Sequence, residues 1–203
     1  MKEFWNRRYK EGEYVYGENP NVYFEEIINK LDLTGKALFP ADGEGRNSVY
    51  AATKGLEVVA FDISDEGKKK ALKLAMQKQV EVDYKVGELS ELNFKSNSFD
   101  VVVLIYAHFN NDLRNQLHNE FVGLLKPNGY LILEGFSENH IAYQARQPNI
   151  GGPKSVEILF SKQKIEKDFK KLKTIELEEI EIELNEGEYH KGTGSVIRYV
   201  GRK

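Results

Sequence analysis

Acidic residues recur in this chain directly behind short apolar runs. Asp42 and Glu44 stand in the turn ADGEGRNS after KALFP, Asp62 closes LEVVAFDI, and Glu88 stands in VGEL. Open α/β sheets bind ligands in the crevice beyond the carboxyl ends of their strands, so the residues just after each strand are the ones with access to chemistry. Gly43 and Gly45 permit a tight bend and let a ligand approach the backbone with no Cβ in the way. Asp62 lies 17 residues after Gly45, where a carboxylate can accept both hydroxyls of a ribose. Glu88 can accept a hydrogen bond from an adenine amino group while a neighbouring amide meets the ring nitrogen. Together these residues outline an adenosine site.

The charge around the turn narrows the ligand. Read as GxGxxG, the turn supplies Gly43, Gly45 and then Ser48, so the third glycine is replaced. A pyrophosphate wants uncompensated positive potential at a helix N-terminus. Here Asp42 and Glu44 crowd that end with negative charge, partly offset by Arg46. Such a rim suits a ligand bearing a sulfonium and an ammonium better than one with two phosphates, which points to S-adenosylmethionine.

Positioning these turns takes alternating strands and helices. The spacing predicts a short helix, an aromatic loop around GENPN and a helix from Asn21 to Leu31. Strands are expected at Lys36 to Pro40, Leu56 to Ile63, Val80 to Val86, Phe99 to Tyr106 and Tyr130 to Glu134. Helices are expected at Asn47 to Lys54, behind the N-cap Ser64, and at Asn111 to Leu125 before the KPNG turn. FDVVVLIY is almost continuously apolar, the mark of a strand buried on both faces at a sheet centre. Glu138 to Phe160 lacks periodicity, contains QPNIGGP and reads as a long loop; Ser161 to Lys171 reads as a basic helix. Ile175 and Leu177 are odd-numbered whereas Ile180, Ile182 and Leu184 are even, which predicts a β-bulge at Glu178 and Glu179. Asn185 to Gly194 then forms a hairpin connection to a last strand, Ser195 to Val200. The expected fold is α/β: a doubly wound, mostly parallel, Rossmann-like seven-stranded sheet with a terminal antiparallel hairpin. It is expected to be a single domain, with a lid segment at 1–35, a cofactor-binding core at 36–135 and a substrate-side loop and hairpin at 136–203.

Composition sets outer bounds. The 203 residues are 40% hydrophobic and carry a formal net charge of -3, so no global positive field holds nucleic acid. The longest apolar run, Val101 to Ala107, is far shorter than the roughly 20 residues that span a bilayer. The N-terminus scatters charges where an export signal needs an apolar stretch, and a cytoplasmic protein acting on a small molecule is expected. With no cysteine, disulfides and thiolate chemistry are excluded. His108, His118, His140 and His190 show no metal-ligand spacing, so no metal is expected.

The order of ADGEGRNS, FDIS, VGEL, NSFDVVVLIYAHF and KPNGYLILEGF resembles a class I S-adenosylmethionine-dependent methyltransferase. FWNRRYKEGEYVYGENPN and the late GGPK resemble, more narrowly, the small-molecule branch with the tellurite-resistance and thiopurine-type enzymes. The resemblance spans nearly the whole chain. It implies a cofactor site of Tyr16, Ala41, Asp42, Gly43, Gly45, Asn47, Asp62, Ile63, Gly87, Glu88, Leu89 and Tyr106. In it, Gly43 and Gly45 lie along the methionine part, Asp62 on the ribose and Glu88 with Leu89 at the adenine, while Tyr106 flanks the methyl-transfer site and Tyr16 covers it. Two positions depart from the pattern: Phe39 stands where the family usually has an acid, and Ala41 where it has a glycine. Asp42 or Glu44 can supply the missing negative charge.

The expected reaction is in-line methyl transfer to a small acceptor such as a thiol or a chalcogen oxyanion. An acceptor that is already anionic needs no strong base, whereas an oxygen or nitrogen acceptor needs one. His108 is the candidate for that role, with Tyr106 in the methyl cage. Trp5, Tyr9 and Tyr14 read as lid packing, Asp100 as a residue that orients structure, and Arg46 and Arg114 as surface residues or caps. The alternatives are an NAD-dependent oxidoreductase, disfavoured by the acidic rim and the terminal hairpin, and a non-catalytic cofactor-binding or sensor protein of the same fold, which Phe39 and Ala41 keep in view.

Overall fold

The computed structural model describes residues 1–10, 13–147, 150–187 and 189–203. Pro148 and Asn149 of QPNIGGP, Glu188 of the hairpin connection and Glu11 and Gly12 lie outside the described residues. Five parallel strands form around the apolar runs, β3 starting three residues later than expected and β5 running through the KPNG segment expected as a turn: β1 (Lys36–Pro40), β2 (Glu57–Asp62), β3 (Asp83–Val86), β4 (Phe99–Ile105) and β5 (Leu125–Phe136). A long antiparallel hairpin, β6 (Lys173–Glu186) and β7 (His190–Arg202), closes the chain. The sheet order is β3-β2-β1-β4-β5-β7-β6, so the winding reverses between β1 and β4.

Both faces of the sheet are covered, which is why the central strands carry no polar alternation. Ala37, Phe39, Val101 and Val103 pack on one side beneath α2 (Val22–Lys30), α3 (Arg46–Thr53) and α4 (Asp65–Gln77). Leu38, Val102 and Leu104 pack on the other beneath α5 (Asn111–Leu124) and α7 (Lys162–Asp168). The helix starts follow capping chemistry: the Ser64 hydroxyl accepts from Gly67 N at 3.0 Å, and Asn21 Oδ1 accepts from Phe24 N at 3.0 Å.

Three expectations change. Residues 138–160 are not a plain loop: α6 (His140–Arg146) and a short helical turn, Val156–Ile158, lie within them. β6 has no bulge at Glu178 and Glu179, which pair regularly with Arg198 and Ile197; the register shifts between Thr174 and Glu176 instead. The parity change needs no bulge there because the apolar residues divide between the two faces, Leu177 packing on the α5/α7 side and Leu184 with Ile182 on a cluster around Phe136, while Ile175 stays exposed. The hairpin is also longer than expected, because β6 reaches Glu186 and β7 starts at His190. The remaining helix, α1 (Lys2–Lys10), packs against α4.

Candidate functional site

The crevice at the β1/β4 reversal is the place a doubly wound sheet offers a ligand. Its first wall is the turn after β1. Ala41 and Gly43 take positive φ (52° and 59°), and Gly45 does so at the start of α3. Gly43 N donates to Asp62 Oδ2 at 3.1 Å and Ser64 N donates to Asp62 Oδ1 at 2.9 Å, so the buried carboxylate at the end of β2 is aimed by backbone amides. Tyr84 from β3 donates its hydroxyl to Gly43 O at 2.6 Å and pins the turn from below. A Cβ on Gly43 would sit 2.6 Å from the Tyr9 hydroxyl, so the approach expected for a ligand is taken here by a tyrosine of α1.

The acids of this wall fall into two kinds. Glu44 is spent structurally: it accepts Val15 N at 2.8 Å and pairs with Lys70 at 2.7 Å, fastening the N-terminal loop to α4. Asp42 accepts the Ser48 hydroxyl at 2.5 Å and the Ser48 amide, and no ion pair reaches Asp42 or Asp62 among the described residues. Burial, with the neighbouring Asp62 charge adding to it, pushes the Asp42 carboxyl up to about 8; burial also raises Asp62. Asp62 is buried and Asp42 half-buried, and the nearest cation acting on Asp42 is Arg46, which lowers it without pairing with it.

The second wall is assembled from distant segments. Asn21 Nδ2 donates to Glu134 Oε1 at 2.6 Å and Glu186 Oε1 at 3.0 Å, while Asn21 N donates to Asn47 Oδ1 at 2.9 Å. Arg46 pairs with Glu186 at 3.0 Å and Arg198 with Glu134 at 2.7 Å. Glu186 also holds His190 Nδ1 at 3.0 Å, and the Arg46 guanidinium keeps the Glu186 carboxyl at about 2 despite its burial. Tyr106 follows β4 with φ 51°, a costly conformation for a bulky side chain, and donates its hydroxyl to Glu134 Oε1 at 3.2 Å. Its ring meets those of Phe136 (4.7 Å) and His190 (4.6 Å), and Tyr16 reaches the same His190 ring at 4.7 Å. The hairpin tip closes against the N-terminal loop: a Cβ on Gly187 would overlap Val15 O, and one on Gly151 would overlap Tyr189 O.

The expected residues divide accordingly. Ala41, Asp42, Gly43, Gly45, Asn47, Asp62 and Ile63 gather at the first wall, and Tyr16 and Tyr106 at the second. Glu88 is exposed, caps a helical turn (Leu89–Glu91) and gives its amide to Glu91 Oε2 at 2.8 Å, next to Gly87. His108 does not fit the base role: Nδ1 is held by Ile158 O at 3.0 Å, Nε2 accepts from Phe136 N at 3.1 Å, and the ring stacks on Phe160 at 4.5 Å. Burial pushes it down to about 4, so it is a neutral wedge between two backbone groups. Arg46 and Arg114 are not surface residues; Arg114 is buried against Asp168 at 2.8 Å. Phe39 is core, edge-on to Phe24 at 5.6 Å. Glu134, Glu186 and His190 escaped the sequence reading. Glu134 carried a signal, an acid at the end of YLILE, whereas Glu186 and His190 gain their place only from hairpin pairing.

Residues 40–133 match a family model described as a methyltransferase domain. This stretch carries a methyltransferase domain. The chain is similar to the demethylmenaquinone methyltransferase of Renibacterium salmoninarum, 31% identical over 102 residues that make up 50% of this chain and 41% of the relative. It thus spans about two fifths of the length of that curated relative. Among solved structures it is similar in fold to one described by the conversion of a disulfide bond into a thioacetal group during echinomycin biosynthesis, with a TM-score of 0.80, 16% identity and coverage of 100% of this chain and 91% of that one. It is also similar in fold to TehB of Haemophilus influenzae, with a TM-score of 0.70, 14% identity and coverage of 100% and 66%. The methyltransferase domain has the class I S-adenosylmethionine-dependent fold, and S-adenosylmethionine is the cofactor it implies.

The residues present fit that cofactor at its charged part. S-adenosylmethionine brings a sulfonium and an ammonium against one carboxylate, and the methyltransferase domain offers two carboxyls, half-buried Asp42 and buried Asp62, that make no ion pair among the described residues. Asp62 keeps lone pairs beyond those taken by Gly43 N and Ser64 N, enough to accept ribose hydroxyls. No helix of the described residues is long and apolar enough to cross a membrane, and no cluster of three or more metal-ligating side chains occurs among them.

Proposed function

We propose that this chain catalyses transfer of the methyl group of S-adenosylmethionine to a small-molecule acceptor by in-line displacement. The observation that carries the reading is the pair of carboxyls behind β1 and β2, half-buried Asp42 and buried Asp62, at the β1/β4 crevice, neither of which makes an ion pair among the described residues. Asp62 would hold the ribose, Glu88 and the Leu89 amide the adenine, and Asp42 the positive charge of the methionine part. When bound, the cofactor supplies a methyl group on a sulfonium, already a strong electrophile. The work left to the protein is alignment and exclusion of water, which lowers such barriers by about 7 to 11 kcal/mol in the best model systems. Tyr106, fixed through its hydroxyl by Glu134, sets one side of the reacting space. Tyr16 and the hairpin tip cover it.

The resemblance of the N-terminal segment and the fold likeness to TehB support the tellurite-resistance and thiopurine-type branch, and the name of the curated relative adds a quinone-type ring as a second acceptor class. Isothermal titration with S-adenosylmethionine and S-adenosylhomocysteine, with NADH as control, tests the cofactor. Micromolar binding of the first two and none of the third is expected. Turnover is then read with thiophenol, selenite, tellurite and a naphthohydroquinone. Tight NADH binding, or no binding of either sulfur cofactor, overturns the reading.

A further inference from the structure

We propose that His190 is the general base of the transfer, so that the acceptor arrives with its proton still on an ionisable oxygen or nitrogen. This rests on the methyltransferase reading and goes beyond it. His190 opens β7 at the hairpin tip, is 5% exposed, and frames the crevice with Tyr106, Tyr16 and Phe136, whose ring centres lie 4.6, 4.7 and 5.1 Å from its own. Its Nδ1 contacts Glu186 Oε2 at 3.0 Å, and Glu186 is fixed in turn by Arg46 at 3.0 Å and Asn21 Nδ2 at 3.0 Å. A carboxylate held ionised in this way keeps the proton on Nδ1 and leaves the Nε2 lone pair outward. Among the described residues no hydrogen bond to Nε2 accompanies the one at Nδ1.

The other histidines lack this combination. Both nitrogens of His108 are bound to backbone. His140 lies near Gly151 O at 3.2 Å and accepts from Ser195 N at 3.4 Å. His118 pairs with Asp168 far from the crevice, its second nitrogen sealed in the core. The groups facing His190 are Glu186 from β6, Arg46 from α3, Arg8 from α1, Tyr16 from the N-terminal loop, Tyr106 after β4 and His140 from α6. Burial is the largest influence and lowers its pKa; Glu186 opposes, and the two arginines add to the lowering. The ring is therefore neutral at neutral pH, as a base must be.

In the step, a lone pair of the acceptor atom forms the bond to the methyl carbon while the carbon–sulfur pair stays on sulfur, giving a neutral thioether. The acceptor proton passes to Nε2, Glu186 balances the imidazolium, and the proton then leaves to water. NMR of the histidine ring nitrogens in the full chain reads the state of His190 without turnover. The Nδ1–H tautomer with a bare Nε2 is expected, becoming a mixture in Glu186→Gln, and an Nε2–H tautomer overturns the proposal. In His190→Gln, S-adenosylhomocysteine affinity is expected to stay within about threefold. Its kcat with a naphthohydroquinone is expected to fall about 100-fold or more, its kcat with the ionised thiophenol to persist, and imidazole to restore the rate in His190→Gly. The wild-type kcat has an acid limb lying below the ordinary histidine value of about 6.5, because burial lowers His190, and the variant loses that limb. Equal naphthohydroquinone turnover by wild type and His190→Gln, at unchanged S-adenosylhomocysteine affinity, overturns the base assignment alone. Turnover of thiophenol with no hydroxyl or amine acceptor in the panel overturns it too. Failure of the wild-type chain to bind S-adenosylhomocysteine overturns the underlying methyltransferase reading instead.

Discussion

At one end of the crevice the Asp62 carboxylate is aimed by the amides of Gly43 and Ser64, with Tyr84 bracing the turn; at the other, Glu134 and Glu186 are held by Asn21, Arg46, Arg198 and His190, from three separate segments. The first wall is largely backbone holding side chain within two successive βα units, and apart from Glu44, which pairs with Lys70, it leaves its acids without an ion pair. The second is side chain holding side chain, each acid paired. Charge left uncompensated in a buried turn is a standing demand for a cationic ligand. Charge fully compensated is architecture, and its use is to fix geometry.

Tests at four residues would break or sharpen that contrast. Arg46→Met strikes the paired wall by leaving Glu186 buried and uncompensated, and urea unfolding should show a loss of about 3 to 5 kcal/mol. A loss near zero would make the second wall decorative. Asp62→Ala strikes the unpaired wall, where affinity matters more than stability; calorimetry should show S-adenosylhomocysteine binding weakened about 100-fold, as expected for two hydrogen bonds to a charged group. Unchanged affinity would remove Asp62 from the site.

Asp42 gives the pH test. Its folded value of about 8 lies above the ordinary 3.8, so the folded chain keeps a proton that the unfolded chain has lost between those limits. Stability should fall as pH rises through that window, and Asp42→Asn should flatten the fall. A cation arriving beside Asp42 favours its ionised form. Titration of S-adenosylmethionine in buffers of different ionisation enthalpy at about pH 7 should thus report release of about one proton, absent in Asp42→Asn. Proton uptake would contradict the placement. The smallest effect is expected of Tyr84→Phe, which removes one hydrogen bond to Gly43 O; a loss of about 1 kcal/mol in thermal unfolding is the outcome that fits a brace and not a ligand.

The difference between the walls is also a difference in legibility. Lys36 to Pro40, the Ser64 cap and the FDVVVLIY strand announce their elements through local pattern, and the acids behind those strands could be named from the chain. Long contacts could not. Arg46 looks like a helix-start residue until β6 brings Glu186 to it across 140 positions. His108 looked like the histidine nearest the chemistry because it follows β4 by sequence, but the pairing of Phe136 and the turn before Phe160 claim both its nitrogens. The bulge expected at Glu178 and Glu179 failed for a related reason: parity predicts a bulge only when all the apolar residues share one face, and here Leu177 packs on one side and Ile182 with Leu184 on the other.

What the sequence by itself determined is the set of βα units and the order of their turns, because apolar periodicity, caps and glycine positions act within a few residues. The seven-stranded fold and the acidic character of the cofactor end follow from that. Only the tertiary structure decided which acids are left bare and which are paired, and that His190 rather than His108 faces the crevice. Burial and partnership of a charge depend on segments that meet only after the hairpin folds back over the sheet.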